Sequence, residues 1–252
     1  MHYTDLIFDL YGTLLDIHTE EDDAVWEKTA LFCGYYGTAY TGAELKAAFY
    51  REMQQRQAAA GQSYECFPDI PAEAVLGKLL QEKGASDPIS LGKQAAQLFR
   101  ICSTDYIRLY PQVREALIRL RKEGFRLWLL SNAQRVFTEY ELRHLGLGDV
   151  FDGVYLSSDH GCRKPDRRFF RALLEEQELS PEACLMIGND LETDIAGAKG
   201  AGLATLYLHT NLTPPQQREA DPSLHPEVSA GPHWEYEGCD WQELTELLLK
   251  IR

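Results

Sequence analysis

Apolar positions along this chain repeat in two ways. From about Leu109 onward, short solid apolar runs alternate with stretches in which apolar residues return every three or four positions. FRLWLLSN (125–132), GVYLSS, CLMIGND (184–190) and ATLYLH are too short and too uniformly apolar for surface helices, and read as buried strands. VREALIRLRKEG (113–124), a stretch around 135–146, RRFFRALLEEQEL and TDIAGAKGAG carry helical spacing, the first closed by Gly124 as a C-terminal cap. A further run, Leu6-Ile7-Phe8, opens the chain as a strand. Strands alternating with helices predict an α/β fold: a Rossmann-like parallel sheet with helices on both faces.

Between roughly 17 and 106 the texture changes. EDDAVWEKTALFCGYYG, GAELKAAFYREMQQRQAAAG, PAEAVLGKLLQEKG and ISLGKQAAQLFRI are helix-length amphipathic stretches broken by Gly, Pro or Ser/Asp, with no strand signal among them. The chain therefore divides into an α/β core, 1–16 and 107–252, and an inserted all-helical unit, 17–106. YYGTAY (35–40) is expected to pack between those helices. GAKGAG (197–202) ends a helix rather than opening one, the reverse of a pyrophosphate loop, and reads as packing and capping. The proline-rich, polar stretch 213–232 reads as a surface loop before a final helix.

Composition narrows the function. Of 252 residues, 44% are hydrophobic and 25% charged, as in a soluble globular chain. No apolar run has the roughly 18–20 residues of a membrane helix, and no secretory signal is visible, so the expectation is a cytoplasmic protein without a membrane partner. The six cysteines lack metal-like spacing and read as reduced thiols, Cys162 included. A net charge of −14 argues against nucleic acid as a partner, and requires local cations or a metal wherever an anion binds. Oligomeric state is not encoded in any visible pattern.

The polar residues fall where such a sheet binds ligands, at the carboxyl ends of its strands. Strand one ends at Asp9, in DLYGT. Another ends at Ser131-Asn132, a loop carries Arg163-Lys164-Pro165, and a further strand ends at Asn189-Asp190 with Asp194 one turn on. Asp9, Asp190 and Asp194 would repel one another if brought together, each with a reference pKa of about 3.9. Mg²⁺ resolves that conflict with a few carboxylates and water. Lys164 and the Ser131 hydroxyl supply a cation and a donor for an anionic group beside it. Asp9 is then a nucleophile facing a neutralised electrophile.

DLYGT, LLSN, RKPD and GNDLETD, in that order, resemble the four motifs of the haloacid dehalogenase (HAD) superfamily, and the helical insert falls where C1-capped members carry their cap. The resemblance implies a hydrolase working through a covalent intermediate on Asp9. It implies that Ser131 and Lys164 hold the transferred group, that Asp9, Asp190 and the Tyr11 carbonyl bind Mg²⁺, and that Asp194 supports the metal. Thr13, Asn132, Tyr11 and Arg51 enter as substrate-side residues, Thr13 also supporting Asp9.

Tyr11 departs from the pattern of the family's phosphatases, which place an acid–base aspartate there; that help is typically worth about 10²–10⁴ in rate. Tyrosine is what the 2-haloacid dehalogenases resemble at this position, since a leaving halide needs no proton. Against a dehalogenase, Asp190 and Asp194 are both kept, Phe170 stands where those enzymes have a functional tyrosine, and Arg51 is only a loose match to their cap arginine. The expectation is an Mg²⁺-dependent hydrolase of a small phosphorylated metabolite. A 2-haloacid dehalogenase and a catalytically weak ligand-binding protein are the alternatives.

Overall fold

The computed structural model describes residues 3–60, 67–214 and 232–251, so Cys66 and most of the polar 213–232 stretch lie outside the described residues. Its centre is a six-stranded sheet formed by β1 (Asp5–Phe8), β4 (Arg126–Ser131), β5 (Gly153–Leu156), β6 (Cys184–Gly188), β7 (Ala204–His209) and β8 (Trp234–Glu237), in the order β5-β4-β1-β6-β7-β8. Every adjacent pair runs parallel. The architecture is the α/β, Rossmann-like one that the alternation predicts.

Alternation along each strand builds two separate cores, because successive side chains point to opposite faces. Leu6, Phe8, Leu127, Leu129, Leu185 and Ile187 join one cluster, which α5 (Val113–Lys122) and the C-terminal helix α10 (Trp241–Lys250) cover with Leu117, Leu120, Trp241 and Leu244. Ile7, Trp128, Leu130, Cys184 and Met186 face the other side, under Phe169, Phe170 and Leu173 of α8 (Arg167–Glu176). With both faces buried, these strands are apolar at most positions, which is why they read as nearly solid runs.

Between β1 and β4 the chain leaves on β2 (Leu15–Thr19) and returns on β3 (Thr104–Leu109), an antiparallel pair joined from Leu15↔Leu109 to Thr19↔Thr104. The expected limits at 16/17 and 106/107 therefore fall inside the strands of a ribbon that the absence of any strand signal did not foresee. Between its ends lie α1 (Asp23–Tyr35), α2 (Gly42–Ala59), α3 (Ala72–Glu82) and α4 (Pro88–Ser103). Local chemistry starts these helices: the Asp22 carboxylate accepts from Val25 N–H, Thr41 and Glu44 form a capping box, and Asp87 caps α4 with Pro88 next to it. The helices bury their own cluster around Trp26, Leu45, Leu76 and Leu80, which reaches Val136 of α6 (Arg135–His144).

Two expectations change. Tyr35 and Tyr36 of YYGTAY are 85% and 46% exposed rather than packed; Thr38 is buried, and Tyr40 is half-buried with its hydroxyl donating to Leu79 O at 3.0 Å. GVYLSS stops as a strand at Leu156, and Ser157–His160 turns into a one-turn helix, α7. Among the described residues no helix is long and apolar enough to cross a membrane.

Candidate active site

The sheet brings Asp9, Ser131 and Asn189-Asp190 to one edge because β1, β4 and β6 are parallel neighbours in register, with Phe8 beside Leu129 and Ile187. Asp9 is the first residue past β1, still tied to the sheet by its N–H donating to Ile187 O at 3.0 Å. The turn behind it needs Gly12: its φ is +84°, and a Cβ there would lie 2.4 Å from Asn189 Nδ2. Thr210 at the end of β7 donates its hydroxyl to Gly12 O at 2.7 Å and pins the turn from outside.

Asp9 is 7% exposed, and its carboxylate is held from several sides. Lys164 Nζ donates to Oδ1 at 2.8 Å and Ser131 Oγ to the same oxygen at 3.1 Å. Thr13 Oγ1 lies 3.2 Å from both Asp9 Oδ2 and Asn189 Oδ1. Lys164 is 1% exposed and also donates to Asp194 Oδ1 at 2.7 Å and to Leu130 O at 2.8 Å. Burial alone would lower the Lys164 pKa, but the Asp194 and Asp9 carboxylates raise it above its ordinary value.

Asp190 and Asp194 sit on the π-helical turn Leu191–Ala196 after β6. Asp190 caps it, its Oδ1 accepting from Glu192 N–H at 2.9 Å and Thr193 N–H at 2.8 Å. Asp194 turns back and accepts the Asp190 N–H at 3.1 Å. Its carboxyl is pushed up to about 7, first by burial and then by Asp9 and Asp190, with Lys164 pulling the other way. One buried ammonium thus bonds two carboxylates, Asp9 and Asp194, while the Asp190 charge acts on Asp194 as well. The remaining negative charge, offered through oxygen atoms only, is the environment a hard divalent cation suits. No group of three or more His, Cys, Asp or Glu side chains poised around a metal occurs among the described residues. Two carboxylates, a backbone carbonyl and water still meet the needs of Mg²⁺, which keeps several waters in its shell.

Asn132 and Tyr11 are engaged by protein. The Asn132 amide donates to Lys164 O at 3.0 Å and accepts Lys164 N–H at 2.7 Å, clamping the lysine loop to the end of β4. The Tyr11 hydroxyl donates to Glu141 on α6 and lies 2.9 Å from Thr138 Oγ1. Glu141 in turn accepts from Arg100 of α4 at 2.7 Å, and that guanidinium stands 5.5 Å from the Tyr11 ring. Burial, with Glu141 second, raises the Tyr11 pKa far above its ordinary value, so its hydroxyl does not act as a base. Tyr11, Arg100, Asn132, Gln134 and Arg163 line a cleft of about 340 Å³, to which Asp69 contributes from the segment before α3. Arg51 is exposed on α2 and is not among the residues that line it. His160 packs between the Tyr155 and Phe169 rings, with centroids 5.3 and 5.4 Å away.

A family model for haloacid dehalogenase-like hydrolases matches residues 6–202, well over half of the chain. The chain belongs to that family. The chain is 34% identical over 107 residues to a glyceraldehyde 3-phosphate phosphatase of Methanothermobacter thermautotrophicus, covering 42% of this chain and 47% of that protein. It is 32% identical over 152 residues to a phosphoserine phosphatase of Thermus thermophilus, covering 60% of this chain and 59% of that one. The match thus spans about half the length of these curated relatives. Among solved structures, a HAD hydrolase of Bacillus subtilis bound to magnesium superposes with a TM-score of 0.54 at 22% identity, covering 99% of this chain and 100% of that one. A 2-haloacid dehalogenase of Pseudomonas syringae gives 0.58 at 19% identity, with the same coverage. At these identities the likeness concerns the fold.

Of the residues read from the motifs, Asp9, Ser131, Lys164, Asp194, Thr13 and Asn132 are joined by direct hydrogen bonds, and Asp190 through its N–H to Asp194. Sequence reasoning missed Asp69, Gln134, Arg100 and Glu141. Asp69 stands beside Pro68, which forms an isolated β-bridge with Cys162 of the lysine loop, but nothing local marks it.

Proposed function

We propose that the hydrolase is an Mg²⁺-dependent phosphatase of a small phosphorylated metabolite, with Asp9 as nucleophile and 17–106 as a cap over the core 1–16 and 107–252. The observation that carries the reading is Asp9, buried at a strand end and held by Lys164 and Ser131, with Asp190 and Asp194 beside it. That excess of carboxylate has a chemical purpose only if cationic charge joins it. The phosphatase names of the curated relatives point the same way.

In this reading Asp9, the Tyr11 carbonyl and Asp190 hold the metal, with Asp194 behind them. Bound Mg²⁺ supplies charge neutralisation at the phosphoryl oxygens. The protein does the rest. Lys164 and Ser131 switch from the Asp9 carboxylate to the oxygens of the arriving phosphoryl group. Thr13 and Asn189 keep Asp9 aimed, since phosphoryl transfer depends on positioning more than on covalent chemistry. Attack by Asp9 on phosphorus displaces the alcohol and leaves an aspartyl phosphate, which water then hydrolyses.

The test is phosphate release from a panel of phosphomonoesters and acyl phosphates with Mg²⁺ or EDTA. Release that needs Mg²⁺ and disappears in Asp9→Asn supports the reading. Equal release in EDTA, or an active Asp9→Asn, removes it. Halide release from 2-haloacids without phosphate release would establish the dehalogenase instead.

A further inference from the structure

With Tyr11 unable to exchange protons at neutral pH, the proton for a leaving alcohol has to come from elsewhere in the cleft. Its arginines stay protonated in proteins and its amides do not titrate. Among the described residues lining the cleft, Asp69 is the only carboxylate, and none is a histidine or cysteine. Asp69 arrives on the stretch before α3, which docks against the loop leading into Lys164. Arg163 N–H donates to Phe67 O at 2.9 Å and Asp69 N–H to Gly161 O at 3.2 Å. Gln134 ties the same stretch to α6, donating to Asp69 Oδ1 at 2.8 Å and accepting Ala72 N–H at 2.8 Å. Asp69 is therefore fixed over the catalytic loops by both chain and side chain, half-buried, on the wall shared with Tyr11 and Asn132.

We infer that Asp69 is the acid–base residue of this hydrolase, doing from the helical unit what an aspartate at position 11 would do from the core. The inference rests on the phosphatase reading above. As Asp9 attacks, the bond from phosphorus to the substrate oxygen breaks and that oxygen takes the proton of the Asp69 carboxylic acid, leaving an alcohol and an ionised Asp69. When water attacks the aspartyl phosphate, Asp69 takes the water's proton and the bond from phosphorus to Asp9 breaks. Inorganic phosphate leaves and both carboxyls return to their starting states. Burial, the largest effect, raises the Asp69 pKa above its ordinary value, against the Ser157 hydroxyl, the Arg163 charge, the Ile70 N–H and Gln134. The Ser157 hydroxyl, 2.5 Å from Asp69 Oδ2, can turn its proton to Ala133 O at 3.3 Å, so either protonation state of Asp69 is accommodated.

The experiment compares Asp69→Asn with wild type, in Mg²⁺, on alkyl phosphates and on p-nitrophenyl or acyl phosphates, whose leaving groups need no proton. The variant keeps the shape and the acceptor for Gln134. The expected result is a fall in kcat/KM of about 10²–10⁴ on alkyl phosphates and of less than tenfold on the activated esters. Asp69→Ala should regain alkyl phosphate turnover when formate is added, which a structural role would not allow. A uniform loss on both substrate classes without formate rescue, or no loss on either, overturns the inference and leaves the phosphatase reading standing. A wild type that releases no phosphate from any ester removes that reading, and this one with it.

Discussion

Lys164→Met would remove the ammonium while keeping most of the side chain's volume. The lysine is 1% exposed and makes three hydrogen bonds, to Asp9, Asp194 and Leu130 O, so all three acceptors lose their shared donor in the interior. Breaking a buried ion pair by removing one partner costs about 3–5 kcal/mol, because the remaining charge is stranded. The same change should make the loss depend on pH. Asp194 already titrates at about 7 in the folded protein, above its ordinary value of 3.8, so the stability it gives is full below about 4 and is lost as pH rises toward 7. Without Lys164 its pKa climbs further, and the decline continues beyond 7 at about 1.4 kcal/mol per pH unit. Urea unfolding in EDTA at pH 5.5 and pH 8 measures both effects. The expected penalty is about 3–5 kcal/mol at pH 8 and smaller by roughly 1 kcal/mol at pH 5.5. A penalty under about 1 kcal/mol at both pH values, or one larger at pH 5.5, would refute the view that Lys164 neutralises this cluster.

Tyr11→Phe removes a hydroxyl spent on Glu141 and Thr138, so it should cost about 1 kcal/mol in urea unfolding and leave phosphate release within a few-fold; a hundredfold loss of turnover would show that the hydroxyl meets substrate. Gly12→Ala places a Cβ against Asn189 at a φ of +84° and should lower stability by about 1–3 kcal/mol; a thermal melt unchanged by the substitution contradicts the geometry. Asp16 is buried, which alone would push its pKa up, but Arg108, Asn211 and Tyr106 hold it below its ordinary value. Its contribution is full above about pH 4 and is lost as pH falls below that. Asp16→Asn should therefore flatten the acid side of the stability profile, and an acid limb as steep as wild type's would contradict this.

The central strands were legible because burial on both faces leaves few polar positions to confuse the period: ATLYLH matches β7 residue for residue. The ribbon was not. LDIHT and TDYIRL carry exposed His18, Thr19, Asp105, Tyr106 and Arg108 among their apolar residues, and each is a strand only because the other lies about 90 positions away. WEYE, now β8, escaped for the same reason. At the site, Asp9, Ser131, Lys164, Asp190 and Asp194 stand at strand ends or in the loops that follow, which fixes their address from local pattern alone. Asp69 and Gln134 belong to no motif, and meet across 65 residues of chain. Glu141 and Arg100 look like ordinary helix-surface charges until the fold buries them together, at 12% and 19% exposed side chains.

The β2–β3 ribbon returns the chain to about one strand spacing, roughly 4.8 Å, from where it departed. Seen from the sheet, the four helices are a branch closed at its own base. Closure cost grows only slowly with the length of the excursion, so the branch can lengthen, shorten or be exchanged without disturbing the register of β1 and β4. A grafted branch from a relative should therefore fold on this base. The exchange carries a condition. With Asp69 in the branch, a graft lacking an acid at that place would change which leaving groups the host can expel, as well as which molecules it admits.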